Sequence, residues 1–570
     1  MDNQRLLLWT GLALILFLNY QLWQHDYAPA PVAPVAASAS AARGPAAAPA
    51  GTLSDSLPTV AAPVAGTAPG AVLPAAGAAA IEAPQAATSA TVHVRTDVLD
   101  LVISTQGAEL REATLLQYPQ RKDTPNELVR LLSADAPDAQ SLFQWGLTAG
   151  GTAAEPNHKA TFTAAAPSYA LASGQNELVV PLTWTDGAGL TVTRTFHLAR
   201  GSYAIQLDQH VDNAGTAPWR ARAYSQLQFH WQHNERSMWN SDTYAFRGPA
   251  FYNGKKYQKL DVEKPDPELI PKTPITGGWA AAMQHHFVAA MVPDPAAAQT
   301  YTLAIQGKEY QFRSVGPEQE IAPGKQADFT ETLFLGPKLQ NQLASTAPKL
   351  ELTADYGRLT IIAQPLFKLL ELVHRVLGNW GWTIIIVTFL IKLLFYPLAQ
   401  TSGRSMARMR NIAPRMKAMQ ERYKDDKEQL GKQMMELYKR EKVNPLAGCL
   451  PILVQIPVFI SFYWVLLESV EMRQAPFMLW VQDLSTKDPF FVLPVIMGLA
   501  MFGQFKLNPA PPDPMQAKVF AFMPVVMTVM MAFFPAGLVL YWITNTALSI
   551  AQQWRINQLV EAESKKRTRD

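Results

Sequence analysis

The chain falls into stretches of different apolar rhythm, and each rhythm predicts a different kind of element. Arg5 precedes a nearly unbroken apolar run, Leu6 to Leu18, and the bulky and polar Asn19 to Trp23 follow where a cleavage site would need small residues. Residues 1–27 therefore read as an uncleaved transmembrane anchor, with the Ala-Pro pairs from Ala28 leaving cleavage as the alternative. From 28 to 90 the chain is almost wholly Ala, Pro, Gly, Val, Ser and Thr. Such a stretch lacks the apolar surface to order itself and reads as a disordered tether.

Between 91 and 350 the rhythm changes to short alternating runs bounded by turn residues. Glu177 to Thr185, the turn Asp186-Gly187-Ala188-Gly189 and Leu190 to Leu198 together predict a β-hairpin. With no sustained period of 3.6, this region is expected to form one large all-β sandwich.

After Tyr356 the pattern becomes helical. Residues 356–378 contain an amphipathic segment, Leu359 to Leu377, that puts Lys368, Glu371 and Arg375 on one face and suits a membrane surface. Trp380 and Trp382 then mark an interface, and the apolar run Thr383 to Tyr396 opens the first of five further spans in a core of residues 379–553. The others are Leu446 to Leu467, Phe490 to Phe505, Val519 to Phe534 and Leu538 to about Ala551. Only Pro535-Ala536-Gly537 joins the last two, which predicts a tight helical hairpin. Several runs are shorter than ~20 residues and carry prolines, so the bundle is expected to be thin or kinked. Residues 401–445 predict a second, polar helical hairpin, with Met406, Met409, Ile412, Met416, Met419 and Tyr423 recurring every three or four positions. A methionine stripe suits a surface that repacks against varied apolar partners, and it equally suits a seam that holds the hairpin together.

Charge orients this layout. Residues 401–445 carry twelve Lys or Arg against six Asp or Glu, whereas 468–489 carry four acidic residues against Arg473 and Lys487. The first loop is thus expected in the cytoplasm, together with both termini and the basic tail 554–570, and the β-domain outside, in a periplasm. A net charge of +3 is too small for a nucleic-acid footprint. The single cysteine, Cys449, excludes an intrachain disulfide and any CxxC metal site.

Candidate chemistry is sparse. The sequence has no GxxxxGK[ST], HExxH or GxSxG, and the histidines of His230 with His233 and of His285-His286 lack an obvious carboxylate or cysteine set, so neither a metal nor another cofactor is expected. Lys392 is the informative residue. At ~1.5 Å of rise per residue from the two tryptophans it lies roughly 15 to 18 Å deep in a hydrocarbon slab about 30 Å thick. A cation there costs at least ~2.5 kcal/mol, so it faces a wet cavity or snorkels towards an interface. Thr388 shares its face one turn earlier, Gln455 interrupts the next span, and Tyr541, Asn545 and Ser549 form one stripe of the last. Taken singly, such residues are interhelical hydrogen-bonding groups. Together they predict a polar concavity.

Several segments carry a resemblance. Gln364-Pro365-Leu366-Phe367-Lys368-Leu369-Leu370, Gly378-Asn379-Trp380-Gly381, Lys442-Val443-Asn444-Pro445-Leu446 with Gly448-Cys449, Gln474-Ala475-Pro476-Phe477 and Phe533-Phe534-Pro535-Ala536-Gly537-Leu538-Val539-Leu540-Tyr541 closely resemble the YidC/Oxa family of membrane-protein insertases. The layout is similar to the Gram-negative form. The resemblance implies a polytopic α-helical bundle of six transmembrane helices, a large periplasmic β-supersandwich, and a hydrophilic groove open to the cytoplasm and to lipid. It implies a non-enzymatic insertase and chaperone of the bacterial inner membrane, acting on nascent integral membrane proteins without ATP hydrolysis, alone or beside the Sec translocon. It also gives groove-wall roles to Thr388 and Trp542, beside Lys392, Gln455, Tyr541 and Asn545. The hairpin, with Arg404, Arg408, Met406, Met409, Met416 and Met419, would meet substrate or ribosome, and lipids complete the partners. Lysine at 392 departs from the family's common arginine: it keeps the charge and loses the bidentate fork. Two other classes remain open on the residues themselves, a membrane-anchored sugar-handling protein and a small-molecule transporter, although the internal repeat that the latter requires is not visible.

Overall fold

The computed structural model describes residues 53–58, 91–135, 140–149, 155–232, 237, 241–423, 426–441, 450–507 and 514–567. The expected anchor, 1–27, lies outside the described residues, as does nearly all of the expected tether.

Alternation along the strands decides the architecture of the β-domain. In Glu177–Thr185 the side chains of Leu178, Val180, Leu182 and Trp184 turn inward while their neighbours face out. This strand pairs antiparallel with Leu190–Ala199, Thr185 opposite Thr191, as the hairpin pattern predicts. Asp186 closes the turn by accepting from the Ala188 and Leu190 amides at 2.7 and 2.9 Å. Such hairpins assemble into a ten-stranded and a nine-stranded sheet. The first runs in the spatial order Thr300–Gln306, Glu309–Val315, Trp219–His230, Leu142–Thr148, Leu110–Pro119, Leu99–Ser104, Thr91–Arg95 and Ser168–Ala170, with two short side strands. Pairing is antiparallel except between the last two. Phe143, Trp145, Phe196, Phe312 and Phe334 are buried in the shared core. Arg194 is fully buried beside them, its guanidinium donating to Gln209 Oε1 at 2.9 Å and to Pro156 O at 3.2 Å, so that a core cation has its polar partners.

The helical region begins with α1 (Gln340–Thr346) and α2 (Thr360–Leu377). α2 coincides with the predicted amphipathic segment. It buries Ala363, Leu366, Phe367 and Leu370 while leaving Ile361 and Val376 exposed on the other side. Gly378 ends it in the left-handed region, φ 65°, where a side chain would be strained. Asn379 then caps α3 (Trp380–Leu394) by accepting from the Trp382 amide at 3.1 Å. The remaining helices are α4 (Tyr396–Arg422), α5 (Lys427–Arg440), α6 (Leu450–Glu468), α7 (Val492–Leu507), α8 (Pro514–Met531) and α9 (Ala536–Arg567). Large apolar residues line their outer faces, among them Leu394, Leu499, Phe522 and Val529. An exterior of this kind is suited to lipid or to an apolar partner.

Three expectations change. Among the described residues no single helix is long and apolar enough to cross a membrane. α3 and the first part of α4 meet that length only together, and they bend by 70° at Phe395. Pro397 in the next turn explains why the apolar run does not continue straight. Second, α9 continues well past Ala551, its added length made of polar turns. Third, the stretch read as featureless tether includes an ordered 3₁₀ turn, Leu53–Asp55.

Polar contacts join the two regions. Lys338 Nζ lies 3.8 Å from Glu468 Oε2, both side chains almost wholly buried. His285 Nε2 donates to Leu467 O at 2.9 Å, at the end of α6. In the loop after α6, Arg473 donates to Pro119 O and Gln120 O at 2.7 and 2.8 Å.

Candidate functional site

The site is built where α3, α6 and α9 meet. α3 supplies Thr388 and Lys392 one turn apart, α6 supplies Gln455, and α9 supplies Tyr541, Asn545 and Ser549 at intervals of one turn. The Lys392 ammonium donates to Ser549 Oγ at 2.7 Å, and that hydroxyl donates in turn to Asn545 O at 2.7 Å. Ser549 thus offers its lone pairs to the cation because its proton is already committed to the helix backbone. Among the described residues no carboxylate pairs with Lys392.

A pocket of about 50 Å³ opens beside this contact, lined on its polar side by Thr388, Lys392, Gln455, Tyr541 and Asn545. Ile391, Phe395, Leu398, Val454 and Val458 line the rest. That volume holds a few water molecules, and α3, α6 and α9 each supply polar partners for them. The lining is therefore mixed, with polar and apolar side chains side by side on α3 and on α6. Thr388 is buried, with its hydroxyl donating to Ile384 O at 2.6 Å, so it shapes the wall more than it offers hydrogen bonds. Tyr541 is buried and stacks on Phe462 with ring centres 4.4 Å apart.

Trp542 differs from its expected place. It does not line the pocket and packs edge-on against Phe459 at 4.8 Å. One residue along a helix is a turn of about 100°, which carries the side chain off the stripe that holds Tyr541 and Asn545.

The polar hairpin forms from α4 and α5, capped at Asp426, which accepts from the Gln429 amide at 3.0 Å. Its methionine stripe is the seam: Ile412, Met416 and Leu437 are buried together, with Met409, Met419 and Met434 packed against them. Met416 is thereby withdrawn from the contact surface expected of it. Arg404 is exposed, while Met406 and Arg408 are half-buried. On the other side of α4, Ala407 packs against Ile556 and Val560 of α9.

Of the histidines singled out in the sequence, His285 and His286 stack on each other with ring centres 3.7 Å apart and belong to the contact between the two regions. His233 lies outside the described residues. No group of three metal-ligating side chains occurs among the described residues. A larger cleft, about 880 Å³, lies between the β-domain and the loop after α6, but Lys122 and Arg473 on its rim are committed to backbone carbonyls. Sequence reasoning missed this junction. Lys338 and Glu468 are 130 positions apart and carry no local signal.

Comparison with known proteins covers both regions. The model of the 60Kd inner membrane protein family matches residues 372–564, and that of the YidC periplasmic domain matches residues 91–369. The membrane protein insertase YidC of Nitrosococcus oceani is 44% identical over 565 residues, covering 99% of this chain and 100% of the relative. That of Thioalkalivibrio sulfidiphilus is 45% identical over 582 residues, with the same coverage. A crystal structure described as an active YidC insertase with the first transmembrane domain resolved aligns at 16% identity and a TM-score of 0.37, covering 82% of this chain and 92% of that one.

Proposed function

The chain belongs to the YidC family of membrane protein insertases, and on that premise we propose that it passes hydrophilic segments of nascent membrane proteins along the polar stripe around Lys392. The observation that carries this reading is a cation at a helix junction whose other polar side chains are uncharged, held by a neutral hydroxyl and left without a carboxylate partner among the described residues. A side chain so placed has its charge available to an acidic group on a passing segment. Each bare charge in a hydrocarbon slab costs at least ~2.5 kcal/mol, and a polar wall with a counter-charge shortens the dry part of the path. The apolar outer faces of the helices receive the substrate's hydrophobic helix, whose transfer into lipid drives the step without ATP and without covalent chemistry.

In this reading the chain spans the inner membrane six times with both termini in the cytoplasm, and the bent pair α3 and α4 forms a thin, kinked part of the bundle. It acts as insertase and folding chaperone, alone or beside the Sec translocon, and the α4–α5 hairpin meets the emerging chain or the ribosome through its exposed face, Arg404 included.

Insertion in cells depleted of their own insertase provides the test. Lys392→Arg should insert acidic-tailed substrates at close to the parental rate, Lys392→Ala more slowly, and Lys392→Glu roughly tenfold or more below the parent, as expected for ~1 to 2 kcal/mol of charge attraction in a partly wet site. If Lys392→Glu matched the parent on these substrates, the counter-charge role would be wrong. A chain lacking most of residues 91–350 but retaining 1–27 should still restore insertion, which a sugar-handling protein working through its β-domain would not do.

A further inference from the structure

The ten-stranded sheet buries polar side chains on the face turned away from its core. Gln226 lies opposite Gln144 on one neighbouring strand and opposite Arg313 on the other, and Gln228 lies opposite Gln311 two residues along, so all five share one face. The four glutamines are between 0% and 3% exposed. Buried amides are stable where their hydrogen bonds are made: Gln228 donates to Glu309 Oε2 at 3.0 Å and Gln144 to Glu109 Oε2 at 2.8 Å, and the remaining donors of the face turn to a segment that covers it.

The covering chain is Leu53–Pro58. Gln311 donates to Leu53 O at 3.0 Å, Gln144 to Ser54 O at 3.3 Å, and Gln226 to Ser56 O at 3.1 Å. Arg313 donates to both Ser56 O and Ser56 Oγ, at 3.0 and 2.6 Å. Within the segment, Ser56 Oγ donates to Leu53 O at 2.7 Å, which folds it into one turn and presents its carbonyls to the sheet. Pro58 is buried at the end of the contact. The face therefore reads three backbone carbonyls and one serine hydroxyl, the chemistry of a short serine-bearing turn. Gln144 Oε1, Gln228 Oε1 and Arg313 Nε are left without partners in the floor.

We propose that this face is a peptide-binding site whose ligand is the chain's own Leu53–Pro58, docked in cis so that it fastens the Ala- and Pro-rich segment to the β-domain partway along its length. The consequence for geometry goes beyond the insertase reading and rests on it only in taking residues 1–27 as a membrane anchor. The 63 residues from 28 to 90 span at most on the order of 220 Å, whereas the 25 residues from 28 to 52 span at most about 90 Å. Docking thus limits how far the β-domain can stand from the anchor.

Thiol accessibility of the full chain in lipid nanodiscs, in a Cys449→Ser background, tests the site. Pro58 is buried at the end of the contact, so Pro58→Cys should react with a water-soluble maleimide at least tenfold more slowly than Ala76→Cys. Equal rates for the two positions would overturn the proposal. Adding Gln226→Ala and Arg313→Ala should raise Pro58→Cys to the control rate, with protease resistance of the β-domain confirming that it stays folded. Protection that survived both changes in a folded domain would assign the contact to other groups and overturn the site as well.

Discussion

Lys392 and Ser549 illustrate what a single contact decides. The periodicity of Thr388 with Lys392, and of Tyr541 with Asn545 and Ser549, is legible in the sequence because residues four apart share a helix face. That the two stripes face each other, so that a hydroxyl and not a carboxylate holds the ammonium, depends on how α3 packs against α9. Ser549→Ala should destabilise the helical region by about 1 to 3 kcal/mol, since it removes a charge-assisted hydrogen bond from a partly buried cation, and Ser549→Thr should retain most of the stability. Thermal unfolding in detergent measures this; no shift in Ser549→Ala would mean that pocket water takes over as acceptor. Trp542 shows the opposite case, a residue placed by resemblance whose adjacent position on the helix turns it onto Phe459.

At the scale of elements, those with local punctuation are legible in the sequence. Gly378 and Asn379 separate α2 from α3, and Asp186 closes the hairpin between its two strands, because caps and turns are satisfied by residues next to them. The methionine stripe of the hairpin has two physical readings in the sequence, and packing of α4 on α5 makes it a seam. The turn carrying His285 joins the strands Trp279–Met283 and Phe287–Pro293, and its contact with α6 predicts a pH dependence. Burial, reinforced by the nearby Lys338 ammonium, holds the His285 imidazole down at about 3 against an ordinary 6.5. The unfolded chain then binds a proton that the folded one refuses. Stability from this group is complete above pH 6.5 and is lost as pH falls towards 3, at up to about 1.4 kcal/mol per pH unit. Limited proteolysis between about pH 7 and 5 should show the junction loosening on acidification, and His285→Gln, which keeps a donor for Leu467 O, should make the profile shallower, with the slope that remains coming from the stacked His286, which burial also holds down.

For the whole molecule, the buried pair Lys338 and Glu468 ties the β-domain to the helices. Lys338→Met alone takes from the buried Glu468 carboxylate the counter-charge 3.8 Å away and should weaken this junction by up to ~3 to 5 kcal/mol, whereas Lys338→Met with Glu468→Leu should recover most of the loss. Protease sensitivity of the loop after α6, compared between single and double variants, reads this directly; equal damage in both would show that the charges do not interact. The sequence by itself determined the order of the parts, the β-sandwich, the amphipathic helix, the polar hairpin and the stripes that meet at the pocket. All of these follow from periodicities and caps acting over a few residues. Only the tertiary structure decided the bend at Phe395, the mixed lining of the pocket, the junction through His285, Lys338 and Glu468, and the docking of Leu53–Pro58 on buried glutamines. Those features join residues far apart in the chain, or depend on which of two allowed faces a neighbour covers, and no local pattern specifies either.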